Sequence, residues 1–393
     1  MRQRLSALTK LVPTQQSAPP KLAPLYPEQG FALPMAAERR EERLEGLSSL
    51  ADSCLLPALK SYAWEQAAFV DTETTGLSTG VGTYVILLGV GSFRDGQFSV
   101  RQYFLPDPAD EAAFWQQALA DLRQYPLLCT FNGRSYDLPL INNRLTMTGL
   151  PSLEPAAHLD LLYPARRLWR RVLPSCALQS LEEHRLAHKR VDDVPGALIP
   201  GIYRDYLQSG DSGPLQPIFE HNRRDIISLF ELTAQLATSC AMPGERFARA
   251  EEFFGLAEAY LRTDQSDLAE ELINSGLARP GDERVKRQYL HKLARLQARA
   301  GRYEQAVDTW HELALVEPLS LLPRVELSKL YEHRLRNPIS AWQAAQQALA
   351  ICRRRSSLGV PVSSSEEADL NKRLSRLARR VNSQAVGYKG GIV

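Results

Sequence analysis

Phe69-Val-Asp-Thr-Glu-Thr-Thr-Gly-Leu77 reads as the end of a buried strand that carries two acids into a glycine turn. Residues two apart in a strand project from one face, so Asp71 and Glu73 point the same way while Val70 and Thr72 face the other. Two partly buried neighbouring carboxylates repel each other, and a divalent cation is the natural resolution. Taken alone, the stretch also reads as an exposed strand end with solvated acids.

Two later motifs change that balance. Phe131-Asn-Gly-Arg-Ser-Tyr-Asp-Leu-Pro139 places Asp137 where a strand ends and a helix begins, a position that also suits a helix cap. Glu220-His-Asn-Arg-Arg-Asp-Ile226 puts His221 and Asp225 four apart, within about 40° of one another on a helix. Ile218, Leu229 and Leu232 share much of that face, so it packs against a sheet; a simple surface His–Asp hydrogen bond is the alternative. Four acids in ordered, apolar contexts are costly unless a cation gathers them. Oxygen-only ligation suits Mg²⁺ or Mn²⁺, and two such ions suit phosphodiester cleavage.

Bulk properties narrow the class. The 393 residues are long for one domain, and 44% apolar content supports a sizeable core. A net charge of +2 says nothing about partners by itself. Five cysteines without a Cys-x-x-Cys pair argue against a disulfide framework or a zinc site. Cys176, His184 and His188 fit no familiar zinc spacing either. The longest apolar run, Tyr84-Val-Ile-Leu-Leu-Gly-Val90, is strand-sized and too short to span a bilayer. No secretory signal follows Met1, no membrane association is expected, and a reducing cytoplasm fits best.

Strands are expected at 67–73, 85–93, 97–104, 127–131 and 158–163, with Asp95-Gly96 as a hairpin turn. Helices are expected at 110–124, 136–148 and 217–238. After about residue 245 strand signals vanish. Leu256-Ala257 and Ala269 recur as Leu293-Ala294 and Ala306, then as Leu327-Ser328 and Ala341, at a period of roughly 35–37 residues. Gly301-Arg-Tyr-Glu-Gln-Ala306, Trp310 and Pro318 match the tetratricopeptide pattern, in which stacked helix pairs share a core. Residues 1 to about 35, rich in Pro, Gln and Ser, suggest an extended or disordered arm, and Ala37–Gly46 mixes charges at helical spacing. Beyond Ala350 come Arg353-Arg-Arg355 and further arginines at helical spacing, then an end expected to be disordered.

The strand Asp-x-Glu-Thr-Thr-Gly-Leu, the Asn-Gly-x-x-x-Asp-x-Pro and the helical His-Asn-x-x-Asp together resemble the DEDD exonuclease superfamily, on a ribonuclease H-like fold. Within it the chain resembles the bacterial YprB family of predicted exonucleases. Gly82-Thr-Tyr84, Gln102-Tyr-Phe104, Asp193-Val-Pro-Gly196 and Ile199-Pro-Gly-Ile-Tyr203 add to the likeness. The resemblance implies a two-ion Mg²⁺ or Mn²⁺ site held by Asp71, Glu73, Asp137 and Asp225, with 3′→5′ exonuclease activity. It places His221 where the attacking water is oriented or deprotonated. Histidine-bearing members separate that residue from the aspartate by four residues and tyrosine versions by three. Here histidine stands at the tyrosine spacing, about 100° away around a regular helix.

The resemblance also makes Leu77 a residue that packs on the terminal base; an ordinary core leucine is the other reading. Asn132 positions a sugar or phosphate, or is a turn residue before Gly133. Arg223 and Arg224 hold phosphates or merely offset nearby acids. Asp160, in the expected fifth strand, assists the site indirectly or bonds to neighbouring backbone. Pro164-Ala-Arg-Arg-Leu-Trp-Arg-Arg171 offers guanidinium groups to phosphates and an indole to an unpaired base, unless Trp169 turns into the core.

The expected architecture is an α/β ribonuclease H-like domain with a mixed sheet, three antiparallel strands followed by alternating strands and helices. An all-α tetratricopeptide-like repeat domain follows it. Boundaries are 1–62 for the arm and short helices, 63–240 for the exonuclease domain, 246–352 for the repeats and 353–393 for a basic tail. The expected substrate is nucleic acid, DNA or RNA, with a protein partner possible through the repeats. Two alternatives stand beside the exonuclease: a catalytically weak nucleic-acid-binding scaffold, and a structure-specific endonuclease.

Overall fold

The computed structural model describes residues 47, 48, 50, 51, 56–76, 82–94, 96–191, 193–361 and 363–389. The Pro-rich arm, the charged stretch through Gly46, Leu77, Asp95 of the hairpin turn and the chain beyond Lys389 lie outside these residues. Two compact units organise the chain. The first holds residues 62–161 and 186–233; the second holds 162–185, 234 onward and the described part of 45–61.

Along the first unit run β1 (Ala67–Thr74), β2 (Val85–Arg94), β3 (Gln97–Phe104), α1 (Glu111–Leu122), β4 (Leu127–Thr130), α2 (Asp137–Met147) and β5 (Ala157–Asp160). After α3 (Leu162–Trp169) and α4 (Leu178–Leu181), which belong to the second unit, come α5 (Ile199–Ser209) and α6 (Gln216–Ala241). The five strands form one sheet in the order β3-β2-β1-β4-β5. The tight turn at Gly96, whose φ is +77°, makes β2 and β3 antiparallel neighbours, and β1 pairs antiparallel with β2. Strand β4 lies parallel to β1, and β5 parallel to β4 across the α2 crossover.

Two expectations shift at the fifth strand and after it. The run expected as strand to Tyr163 ends at Asp160, and Leu162 already begins a helix. Pro164 falls in the first turn of that helix, where its missing N–H forfeits no hydrogen bond. Helix α5 lies outside the helices expected above, and it buries Ile199 and Tyr203, four apart on one face. It stops at Gly210 in the left-handed conformation (φ +74°), and its Tyr203 hydroxyl donates to the Leu105 carbonyl (2.9 Å).

Alternation along β1 divides the sheet into two faces. Ala68 and Val70 pack with Phe114, Trp115, Leu119 and Leu122 of α1 and with Leu140, Ile141 and Leu145 of α2. Phe69 points the other way, into a ring cluster with Trp64, Phe98 and Phe230 of α6. Each such fully buried side chain contributes about 1.5–3 kcal/mol of transfer free energy. Glycines in β2 bring α6 close. A Cβ at Gly91 would lie 2.4 Å from Ile226 Cγ2 and 2.5 Å from Phe98 Cζ.

The second unit is all helical. After a short α7 (Pro243–Arg246) come α8 (Ala250–Arg262) with α9 (Ser266–Leu277), α10 (Glu283–Arg299) with α11 (Tyr303–Val316), and α12 (Leu322–His333) with α13 (Pro338–Ser357). The recurring small residues Ala257, Ala269, Ala294, Ala306, Ser328 and Ala341 are all fully buried. Leu290, Trp310, Leu313 and Leu327 join α10 to α12 in one core. Arg353–Arg355 complete α13, and α14 (Ser364–Lys389) follows, its Arg373 and Arg376 paired with the buried Glu332 of α12. Trp169 is buried in this unit with the Arg185 guanidinium 4.7 Å from its ring, so it packs as core and is not a base-stacking platform. Segment 162–185 enters the unit through Gly255 of α8, where a Cβ would meet the Arg167 carbonyl at 2.3 Å.

Candidate functional site

The end of β1 carries Asp71 and Glu73 toward α6, on the face that Phe69 also uses. Asp71 stands opposite Gly89 in the β1–β2 pairing. That glycine leaves room for Asn222, which is fully buried; a Cβ there would sit 2.3 Å from Asn222 Oδ1. The Asn222 amide donates to Asp71 Oδ2 (3.0 Å) and to the Asp71 main-chain oxygen (3.2 Å). Gln102 of β3 completes the support, donating to Asn222 Oδ1 (3.0 Å) and to the Phe219 carbonyl (2.7 Å). A strand acid is thereby tied to a helix about 150 residues away.

Asp137 arrives from the other side of the sheet. It is the first residue of α2, but the cap position belongs to Tyr136, which makes no side-chain cap. Its Oδ1 accepts the Thr72 hydroxyl (2.6 Å), so the β1 residue on the opposite face from Asp71 holds it. The loop that delivers Asp137 is pinned by Asp160 at the end of β5. Asp160 accepts the main-chain N–H of Asn132 (2.7 Å) and of Arg134 (3.1 Å). Asn132 has φ +62°, a left-handed conformation that asparagine tolerates, and at Gly133 a Cβ would meet Thr130 at 2.5 Å. Asn132 thus takes a turn conformation, and Asp160 pins the main chain of the loop that carries Asp137.

Helix α6 supplies His221 and Asp225. His221 Nε2 lies 3.7 Å from Glu73 Oε1 and 3.8 Å from Asp225 Oδ2. Its Nδ1 meets Asp193 Oδ1 at 2.7 Å. Arg190 donates to Asp193 Oδ2 (2.9 Å) and to Asp225 Oδ1 (2.5 Å). Arg223 grips Glu220 of its own helix through two bonds (2.8 and 2.5 Å), and Arg224 donates to the same carboxylate (2.9 Å). Both guanidiniums thus offset a neighbouring acid. Leu77 lies outside the described residues.

The acids feel one another. Asp71 stands well above the ordinary carboxylate range, chiefly because burial disfavours its charge, then because Asp225, Glu73 and Asp137 repel it; the Asn222 amide works against this. Glu73 is likewise raised by burial, then by Asp225, Asp137 and Asp193, with Arg190 opposing. Burial pushes Asp137 up to about 6 against the pull of the Thr72 hydroxyl, and Asp160 adds repulsion. Burial also acts to raise Asp193, but hydrogen bonds from Arg190 and His221 outweigh it and hold that acid low.

A cluster of partly buried oxygen donors charged against one another has the chemistry that suits a hard divalent cation. Among the described residues no three His, Cys, Asp or Glu side chains stand ready-made as a metal cage. Thr72 engages Asp137 and Arg190 engages Asp225 in its place. The residues that position the four acids were partly legible: Asn222 lies inside the His-Asn-x-x-Asp motif, and Gln102 and Asp193 in stretches that strengthened the family likeness. Arg190 carries no motif signal, and its contacts with His221 and Asp225 span 31 and 35 positions of the chain.

Residues 68–237 match the family model of the RNase_H superfamily. A Bacillus subtilis (strain 168) protein, "Uncharacterized protein YprB", is 29% identical over 334 residues, covering 82% of this chain and 77% of that protein. The first unit has a ribonuclease H-like fold with a mixed five-stranded sheet, and an all-helical region follows it. Among the described residues no helix is long and apolar enough to cross a membrane.

Proposed function

We propose that this ribonuclease H-like chain is a metal-dependent nuclease that hydrolyses phosphodiester bonds, acting as a 3′→5′ exonuclease on DNA or RNA. The supporting observation is the approach of the acids of β1, α2 and α6: Thr72 bonds Asp137, Asn222 bonds Asp71, and His221 Nε2 lies 3.7 Å from Glu73 and 3.8 Å from Asp225, with burial and mutual repulsion raising Asp71 and Glu73. Mg²⁺ or Mn²⁺ held by these four acids would supply Lewis-acid polarisation of the phosphoryl oxygen and a lowered pKa for the attacking water. Asn222 keeps Asp71 aimed into the site, and Thr72 and the Asp160-pinned loop do the same for Asp137. His221 Nε2, facing Glu73 and Asp225, takes the proton of the attacking water. Direction along the strand rests on the family likeness. The helical unit, with tetratricopeptide-like pairs, recruits a protein partner.

One observation favours a second reading. The Arg190 guanidinium on Asp225 Oδ1, where a cation would compete with it, suits a nucleic-acid-binding scaffold with little turnover. A digestion panel of 3′- and 5′-labelled DNA and RNA oligonucleotides in Mg²⁺ and Mn²⁺ separates the two. The exonuclease releases mononucleotides from 3′ ends, and Asp71→Asn abolishes this while the variant stays folded. Binding without shortening in every lane supports the scaffold, and cleavage of circular substrates supports an endonuclease.

A further inference from the structure

We infer that Asp193 is a positioning residue that sets the tautomer and direction of the His221 imidazole; this rests on the nuclease reading above. The two ring nitrogens of His221 have unlike surroundings. Nδ1 lies 2.7 Å from Asp193 Oδ1 and 3.4 Å from an Arg190 guanidinium nitrogen; the nearer group is the carboxylate, which only accepts when ionised, so Nδ1 carries the hydrogen. In the neutral ring Nε2 is then the unprotonated nitrogen, and it is the one turned toward Glu73 (3.7 Å) and Asp225 (3.8 Å). Both separations are too long for a hydrogen bond, so Nε2 makes no tight bond to either acid. A base that must accept a proton beside those carboxylates needs that lone pair.

The second half of the argument concerns what holds Asp193. Arg190 bonds Asp193 Oδ2 (2.9 Å) with one terminal nitrogen and Asp225 Oδ1 (2.5 Å) with the other. One guanidinium therefore spaces the residue that orients the histidine from an acid that faces it. Both Arg190 and Asp193 belong to the connection between α4 and α5, which contributes none of the four carboxylates. His221 stands one residue from the slot that histidine-bearing relatives use, about 100° around a regular helix. In this chain a carboxylate from outside the helix sets the aim.

The test uses the full-length protein, with imidazole ¹⁵N shifts read by NMR and the His221 signal assigned by its loss in His221→Gln. In wild type, Nδ1 should show the protonated, pyrrole-type shift and Nε2 the pyridine-type shift. In Asp193→Asn the side-chain amide can donate to Nδ1, so the ring should switch to the Nε2–H form. In the same variant kcat should fall about 100-fold or more with KM little changed, and Asp193→Glu should recover part of it. A His221 tautomer that Asp193→Asn leaves unchanged would overturn the inference. So would a switched tautomer with undiminished kcat. If wild type cleaves nothing, the nuclease reading falls, and the tautomer measurement still decides what Asp193 does to His221.

Discussion

Gly89 stands across the β1–β2 pairing from Asp71, and the space left by its absent side chain is filled by the Asn222 amide that holds Asp71. One small residue on a neighbouring strand thus sets how closely α6 approaches the acid. Gly89→Ala forces a Cβ against Asn222 Oδ1 and Ile226 Cγ1, 2.3 and 2.9 Å away. The expected cost is about 1–3 kcal/mol of overpacking, with a larger proportional loss of nuclease activity because Asn222 is displaced. Chemical denaturation alongside oligonucleotide digestion checks it, and an Ala variant with wild-type turnover contradicts this role for Asn222.

Asp71→Asn should stabilise the metal-free protein while abolishing turnover. The carboxylate is partly buried among like charges, and a neutral amide of the same shape removes that repulsion. Thermal melting in EDTA is expected to show the variant melting higher than wild type. Adding Mn²⁺ should reverse the order. Occupancy at a hundred times Kd is worth about 2.7 kcal/mol, and the variant, lacking one donor, gains less. A wild type that melts at the same temperature with and without Mn²⁺ counts against a metal site.

The pH dependence of stability carries a sign. Asp137 has a folded-state pKa of about 6 against an ordinary 3.8. The folded form therefore binds this proton more tightly than the unfolded chain does. Ionisation costs nothing below about 3.8, costs progressively more as pH rises, and exacts its full destabilisation above about 6. Metal-free wild type minus Asp137→Asn stability should thus decline from about pH 4 to about pH 6.5 and then level. Urea titrations across that range measure it, and a difference that grows with pH refutes the assignment.

Phe230→Ala tests how far the site depends on the core beneath it. Phe230 stacks on Phe98 (4.7 Å between centroids) and meets Phe69, two residues before Asp71, edge-on. Removing the ring should cost about 3–5 kcal/mol. It should also lower activity more than an equally destabilising substitution among the stacked helices, for instance Trp310→Ala in the α10–α12 core. Equal activity in the two variants at a temperature where both are folded would show that the acids do not rely on this packing.

Period-two alternation made β1 to β3 readable along the chain, and apolar spacing did the same for α1, α2 and α6, because each pattern is enforced by local geometry. The four acids stood out for the same reason, as did the small residues that recur where paired helices touch. The fifth strand is shorter than expected: Leu161-Leu-Tyr163 is apolar enough for either conformation, and in the fold Leu162 begins a helix with Pro164 in its first turn that packs beside Gly255. Trp169 among arginines suits a core or a stacking role equally, and its burial under the Arg185 guanidinium decides for core.

What sequence alone settled is therefore chemical and local: most of the strands and helices, and the acids they bear. What the tertiary structure decided is who faces whom. Asn222 beneath Asp71, Thr72 on Asp137 and Asp193 at His221 bring together residues between about 28 and 150 positions apart. No periodicity connects such pairs. Their meeting depends on a helix settling onto a sheet at a depth set by glycines, and that depth is a property of the packed molecule.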